Sequence, residues 1–194
     1  MMGGLIARKS KEGTREYSAE ILLTEKRKVW ISGEINEKSA FEVINQLLVM
    51  DADANEEISV LISSPGGSVD DGLAIYDVIN TLRSPVRTVA IGTVASMASI
   101  IFSAGNKGRR EVLPSAKIMI HDPRIMGNKG VMTTSEAIEL GRHLQATKNK
   151  TNSILAANCG KKLEEVNEDT LVDKYMSADE AIEYGIADAI CERL

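Results

Sequence analysis

Only two histidines occur in the 194 residues, His121 and His143. Acyl transfer by a side-chain nucleophile requires a hydroxyl, a base within hydrogen-bond reach, a group that holds the base's tautomer, and donors for the developing oxyanion. His143 falls among Arg142 and Gln145 in a helix-patterned stretch, where a solvated side chain is expected. His121 follows the apolar run Lys117 to Ile120 and stands against Asp122-Pro123, where a buried strand ends. Ser96, in Ala95-Ser96-Met97-Ala98, lies where an apolar strand pattern meets an apolar helix pattern. A hydroxyl at a helix N-terminus sits in a positive field that favours an alkoxide-like nucleophile and an oxyanion beside it. By itself such a serine is more commonly a plain helix cap. The backbone N–H of Met97 is one candidate oxyanion donor. A second is offered by Pro65-Gly66-Gly67, where glycine lets the backbone turn tightly and approach a ligand.

These groups need a scaffold that delivers strand ends to one place. Val29 to Ile31 reads as a short strand, followed by a helix over Glu37 to Met50 with Phe41, Ile44, Leu47 and Leu48 at helical spacing. Ile58 to Ser63 is a second strand running into Pro65-Gly66-Gly67, and Leu73, Tyr76, Ile79 and Leu82 mark a second helix closed by Ser84-Pro85. Val86 to Val94 is a third strand, Ser96 to Ala104 a buried helix, and Lys117 to Ile120 a further strand. Alternating strands and helices predict an α/β fold with a mainly parallel sheet and chemistry at the strand C-termini. After Pro123 a Gly-containing stretch, Met126 to Met132, leads to a long helix from Thr134 to Cys159, with Thr133 and Glu136 as a capping box and Gly160 as its stop. At 1.5 Å per residue that helix is about 39 Å long, more than the core of one such domain needs, so it is expected to project. Its thin apolar stripe of Ala137, Leu140, Leu144, Ile154 and Leu155 suits packing against a partner subunit. A last helix from Ser177 to Tyr184 and a short strand, Ala187 to Cys191, close the chain.

Composition narrows the function classes. One domain of ordinary size is expected, with an aliphatic core, since aromatics make up 4%. A net charge of −5 and a sequence pI near 5.2 argue against a nucleic-acid partner. Cys159 and Cys191 form no CxxC pair, and two histidines do not make a zinc site of usual spacing, so reduced structural thiols and no metal are expected. Met1 to Gly13 is basic and polar with no apolar core, so it does not read as a secretory signal, and a cytoplasmic location is expected. Thr88 to Asn106 carries no charge, but its glycines and serines fit a strand and a buried helix rather than a membrane span.

Three segments in this order, Pro-Gly-Gly after one strand, Ala-Ser-Met-Ala after a later one and Met119-Ile120-His121-Asp122-Pro123 after another, closely resemble the Clp protease proteolytic subunit family. The resemblance runs from about Tyr17 to Ala189 and includes Met176 to Gly185. It implies a ClpP/crotonase-like fold of repeated β-β-α units with a projecting handle helix. It also implies a serine endopeptidase with Ser96 as nucleophile and His121 as base, and the N–H groups of Gly67 and Met97 as the oxyanion hole. The family's acid lies shortly before Ser177 and falls on Asp173; Asp169 and Asp122 stand nearby in sequence, and Asp122 would usually point away from the imidazole along a strand. No cofactor is implied for the chain itself, since ATP is used by a partner AAA+ unfoldase that feeds unfolded chains into two stacked seven-membered rings. Residues 1–17 would then line the axial pore, residues 18–194 would form the protease domain, and the handle region would span about 124–160.

The chain departs from the family pattern in three places. Leu171-Val172 stands before Asp173-Lys174 where many relatives carry an arginine-containing pair used between rings. Asp122 replaces a common glutamine, adding a carboxylate that acts on the imidazole or engages a neighbour. The chain begins very near the mature start of relatives, so any propeptide is expected to be very short. Two rivals share the fold: a crotonase-type acyl-CoA enzyme, which needs no serine nucleophile, and a ring subunit without activity. An α/β-hydrolase fits poorly, because Ser96 lies in no GxSxG motif and the acid follows the histidine.

Overall fold

The computed structural model describes residues 5–10, 13–124 and 131–194. The elements are β1 (Leu5–Ser10), β2 (Gly13–Ser18), α1 (Ala19–Thr24), β3 (Lys28–Ile35), α2 (Glu37–Asp53), β4 (Ile58–Gly67), α3 (Val69–Thr81), β5 (Val86–Ala95), α4 (Met97–Ser103), β6 (Arg110–Val112), β7 (Lys117–Ile120), α5 (Thr134–Cys159), α6 (Leu163–Asp169), β8 (Lys174–Met176), α7 (Ala178–Tyr184) and β9 (Ala189–Ile190). β1 and β2 pair antiparallel as a separate ribbon, within the stretch expected to line a pore. The other strands form one sheet, in the order β3-β4-β5-β6-β9, with β7 alongside β5 and β8 on β7. Every pairing in this sheet is parallel except β7 with β8. This is the mostly parallel α/β architecture that the alternation of strands and helices predicts.

Alternation along the central strands explains the layering, because successive side chains of a strand point to opposite faces. Val60, Ile62, Ala90 and Val94 join the main core with α2, α3 and α4, whereas Leu61, Val89 and Cys191 form a small separate cluster. Phe41 and Leu48, counted in the apolar stripe of α2, are exposed; the buried stripe is Ala40, Val43, Leu47 and Met50. The large apolar residues therefore point away from this chain's own core, on a face with no cover among the described residues.

Three features lie beyond the sequence reading. β4 runs straight through Pro65, Gly66 and Gly67, which were expected to be a turn after the strand. The ladder slips by one residue beside Gly33, so that Glu34 and Ile35 pair with Gly66 and Gly67. The short elements β6, α6 and β8 carry too few residues for a visible period. In α5 the caps are as expected, Thr133 with Glu136 at the start and left-handed Gly160 at the end. The fully buried residues of that helix are Thr151, Asn152, Leu155 and Ala156, all in its last third, and its earlier turns project from the domain. Part of the expected handle region, residues 125–130, lies outside the described residues, as do residues 1–4 and 11–12 of the N-terminal segment. Among the described residues no helix is long and apolar enough to cross a membrane.

Both thiols are free. Burial pushes Cys159 up to about 11 against the opposing charges of Arg110 and Lys161, and burial together with a bond to Glu111 pushes Cys191 up as well. The neutral thiol therefore dominates at neutral pH, and the thiolate is the reactive form. Both cysteines are expected to react with Ellman's reagent at pH 8 at least about 10²-fold more slowly than free cysteine until denaturant is added. Fast stoichiometric release of thionitrobenzoate from the native protein would contradict this.

Candidate active site

Ser96 occupies the single position between the last residue of β5 and the first of α4, and its backbone has φ 57° and ψ −127°. A non-glycine residue there costs on the order of 1–3 kcal/mol and persists only where the surroundings over-determine it. They do so on both sides. The Ser96 N–H donates to the Met119 carbonyl of β7 at 2.9 Å, and the Ser96 carbonyl accepts from the N–H and the hydroxyl of buried Ser99, at 2.9 and 2.6 Å. The side chain makes no capping bond to α4. Ser96 is thus not a plain helix cap; its hydroxyl is turned out of the helix end and lies 2.8 Å from His121 Nε2.

Glycine makes room for this corner. A β-carbon on Gly66, whose φ is +94°, would fall 2.7 Å from the Ser96 Cβ and 2.8 Å from the Ala95 carbonyl oxygen. One on Gly67, with φ +152°, would run into the backbone of Ile35. β4 therefore passes the serine at a distance only bare backbone permits. Met97 is the first residue of α4, so its N–H has no acceptor one turn back within the helix. Its nitrogen lies 3.0 Å from the site a Gly66 β-carbon would take, which puts Met97 and the Gly66-Gly67 backbone side by side next to Ser96.

Strand register decides which aspartate reaches His121. β7 and β8 run antiparallel with Ile118 opposite Met176, Met119 opposite Tyr175 and Ile120 opposite Lys174. One step further along the same ladder, His121 stands opposite Asp173, and His121 Nδ1 lies 3.2 Å from Asp173 Oδ1. The two other nearby aspartates are engaged elsewhere: Asp169 with Lys174 Nζ at 2.6 Å, and Asp122 with Lys148 Nζ of α5 at 2.7 Å. The Asp122 N–H also donates to the Thr170 carbonyl at 2.8 Å. His121 is shielded, with 12% of its side chain exposed, while Asp173 is 32% exposed. His143 is exposed on α5, apart from this site.

Sequence reasoning missed several groups that support the site. Arg124 forms an ion pair with the same Asp173 oxygen that faces His121. Asn152 and Thr170, both buried, tie α5 to the end of α6 through a 2.9 Å bond beneath the chain that leads to Asp173. Ser99 was read only as a small residue that dilutes an apolar stretch. Beside Ser96 lies a cavity of about 20 Å³, bounded by Val69, Met97, Ile100 and Leu155 and by the polar Ser99, Thr151 and Asn152, too small to hold a substrate side chain. Among the described residues no cluster of three or more His, Cys, Asp or Glu side chains is arranged to hold a metal ion.

The chain is similar to known proteins over nearly its whole length. The model of the Clp protease family matches residues 10–194. An ATP-dependent Clp protease proteolytic subunit of Ligilactobacillus salivarius (strain UCC118) is 40% identical over 186 residues, covering 95% of this chain and 93% of the relative. A protein of the same description from Streptococcus sanguinis (strain SK36) is 39% identical over 189 residues, covering 97% of this chain and 96% of the relative.

Proposed function

Since the chain belongs to the Clp protease family, we propose that it is a serine endopeptidase subunit in which Ser96 attacks the peptide carbonyl, His121 moves the proton and Asp173 holds the histidine. The observation that carries this reading is the 2.8 Å contact from Ser96 Oγ to His121 Nε2, made by a serine held at positive φ and released from capping its helix. His121 Nε2 accepts the hydroxyl proton as Oγ bonds to the carbonyl carbon, and Asp173 accepts from Nδ1–H, which fixes the tautomer and steadies the imidazolium. The oxyanion is received by the N–H groups of Met97 and Gly67. His121 then gives its proton to the leaving amine, the amine departs, and water deacylates Ser96 by the same route in reverse. Only side chains, backbone and water are used.

The assembly is proposed on the same premise: rings stacked face to face, with unfolded chains delivered by an AAA+ unfoldase that hydrolyses the ATP. Two surfaces support it. Phe41, Leu48 and Val49 are exposed on α2, and the first turns of α5 stand clear of the domain with Ile138 half exposed. Such apolar surface without cover is what subunit packing would bury. Within that assembly the handle of one ring would meet that of the other, and the β1–β2 ribbon would lie near the entrance.

A fluorophosphonate probe tests the chemistry directly. We expect labelling of the assembled protein at Ser96, none in Ser96→Ala, and a rate lowered by about 10²-fold or more in His121→Ala. Labelling that survives Ser96→Ala, or an assembled protein that is never labelled yet hydrolyses acyl-CoA thioesters, would overturn the reading.

A further inference from the structure

The acid of the proposed triad is poorly held by its own surroundings. Asp173 sits on the short link between Thr170 and the three-residue strand β8, a third of its side chain reaches solvent, and its 3.2 Å contact with His121 is at the long end of a good hydrogen bond. A partly exposed carboxylate in such a link gains by rotating toward water. Arg124 opposes that rotation. It follows His121 by three residues, and its guanidinium pairs with Asp173 Oδ1, the oxygen that faces the imidazole. Lys174 does not compete for this carboxylate, being committed to Asp169, and Lys148 is committed to Asp122.

We propose that Arg124 is a positioning residue that holds the Asp173 carboxylate against His121 from the histidine's own segment of chain. The idea rests on the triad reading above, because a carboxylate without a catalytic histidine would need no such clamp. Arg124 has two opposed consequences. By fixing the carboxylate rotamer it preserves the tautomer and orientation of the imidazole. By drawing on the same oxygen it takes up part of the negative charge that would otherwise favour the imidazolium. Orientation wins at this exposure, because solvent screens the charge of a guanidinium that is itself 57% exposed, whereas a rotated carboxylate loses its contact with Nδ1 altogether.

The experiment is a double-mutant cycle on the assembled enzyme, with a short fluorogenic peptide as substrate. Arg124→Ala is expected to lower kcat roughly 10- to 100-fold with KM nearly unchanged, and Arg124→Lys to recover part of the loss through a single-point contact. In an Asp173→Asn background, removing Arg124 is expected to change kcat less than about twofold, because the residue acts only through the acid. Equal losses from Arg124→Ala in the wild-type and Asp173→Asn backgrounds, or a rise in KM alone, would overturn the proposal. So would full activity of Arg124→Ala alongside inactive Ser96→Ala and His121→Ala. If Asp173→Asn and His121→Ala were themselves fully active, the triad reading would fail instead.

Discussion

Ser96→Ala is expected to assemble as the wild type does and to hydrolyse peptides at least about 10⁴-fold more slowly, since the oxyanion donors left behind supply only a residual rate. The companion variant Ser96→Gly separates chemistry from strain. It is equally inactive, but glycine adopts φ 57° and ψ −127° readily, so it should be more stable than Ser96→Ala by about 1 kcal/mol. For a chain of this size that corresponds to a melting-temperature difference of roughly 2–4 °C in a thermal scan. A Ser96→Ala variant that retains more than a tenth of the wild-type turnover, measured free of contaminating protease, would remove the serine from the mechanism. Equal melting temperatures for the two variants would show that the corner is unstrained.

The second large effect falls on a residue that takes no part in the chemistry. Gly66→Ala places a methyl group against the Ser96 Cβ and the Ala95 carbonyl at distances that real side chains do not tolerate, on a backbone with φ +94°. β4 lies in the middle of the sheet and the corner is pinned to β7, so neither side yields cheaply. We expect a stability loss of about 2–4 kcal/mol by chemical denaturation, and at least about a 10²-fold loss of turnover in the fraction that remains folded. Gly141→Ala is the control. That glycine lies in α5 with open space where its β-carbon would go, so alanine there should stabilise the helix by up to about 1 kcal/mol with turnover unchanged. Wild-type turnover in Gly66→Ala would mean that the corner does not depend on close approach of β4.

Much of the scaffold is legible in the sequence because it depends on local rules. The capping box at Thr133 and the glycine stop at Gly160 occur where the residues predict them, and the last helix, capped by Ser177 and Gly185, lies where it is expected. The long uninterrupted strands are legible for the same reason. The segments that matter most for the site are the ones that local rules miss. β6, α6 and β8 are too short to show a period, and β8 positions Asp173 only through pairing with a strand more than fifty residues earlier in the chain. Ser96 reads as a helix cap because its residue type favours that role, and the conformation that denies it is imposed by Met119 and Ser99. Gly66 and Gly67 read as a turn by composition; their real duty is close passage beside Ser96 and Ile35, which no periodicity reveals. Arg124 gives no signal at all, since an arginine after a proline is an ordinary surface residue until the ladder brings Asp173 next to it.

Among the described residues, the one antiparallel pairing of the main sheet joins strands of only four and three residues, and His121 and Asp173 stand one step beyond its end. So short a zipper can come undone locally at a free-energy cost far below that of melting the parallel strands. Ser96 and His121 would then still face each other, anchored through β5 and β7, with the third partner gone. On the proposed triad, hydrolysis would then be lost under conditions that leave the fold intact.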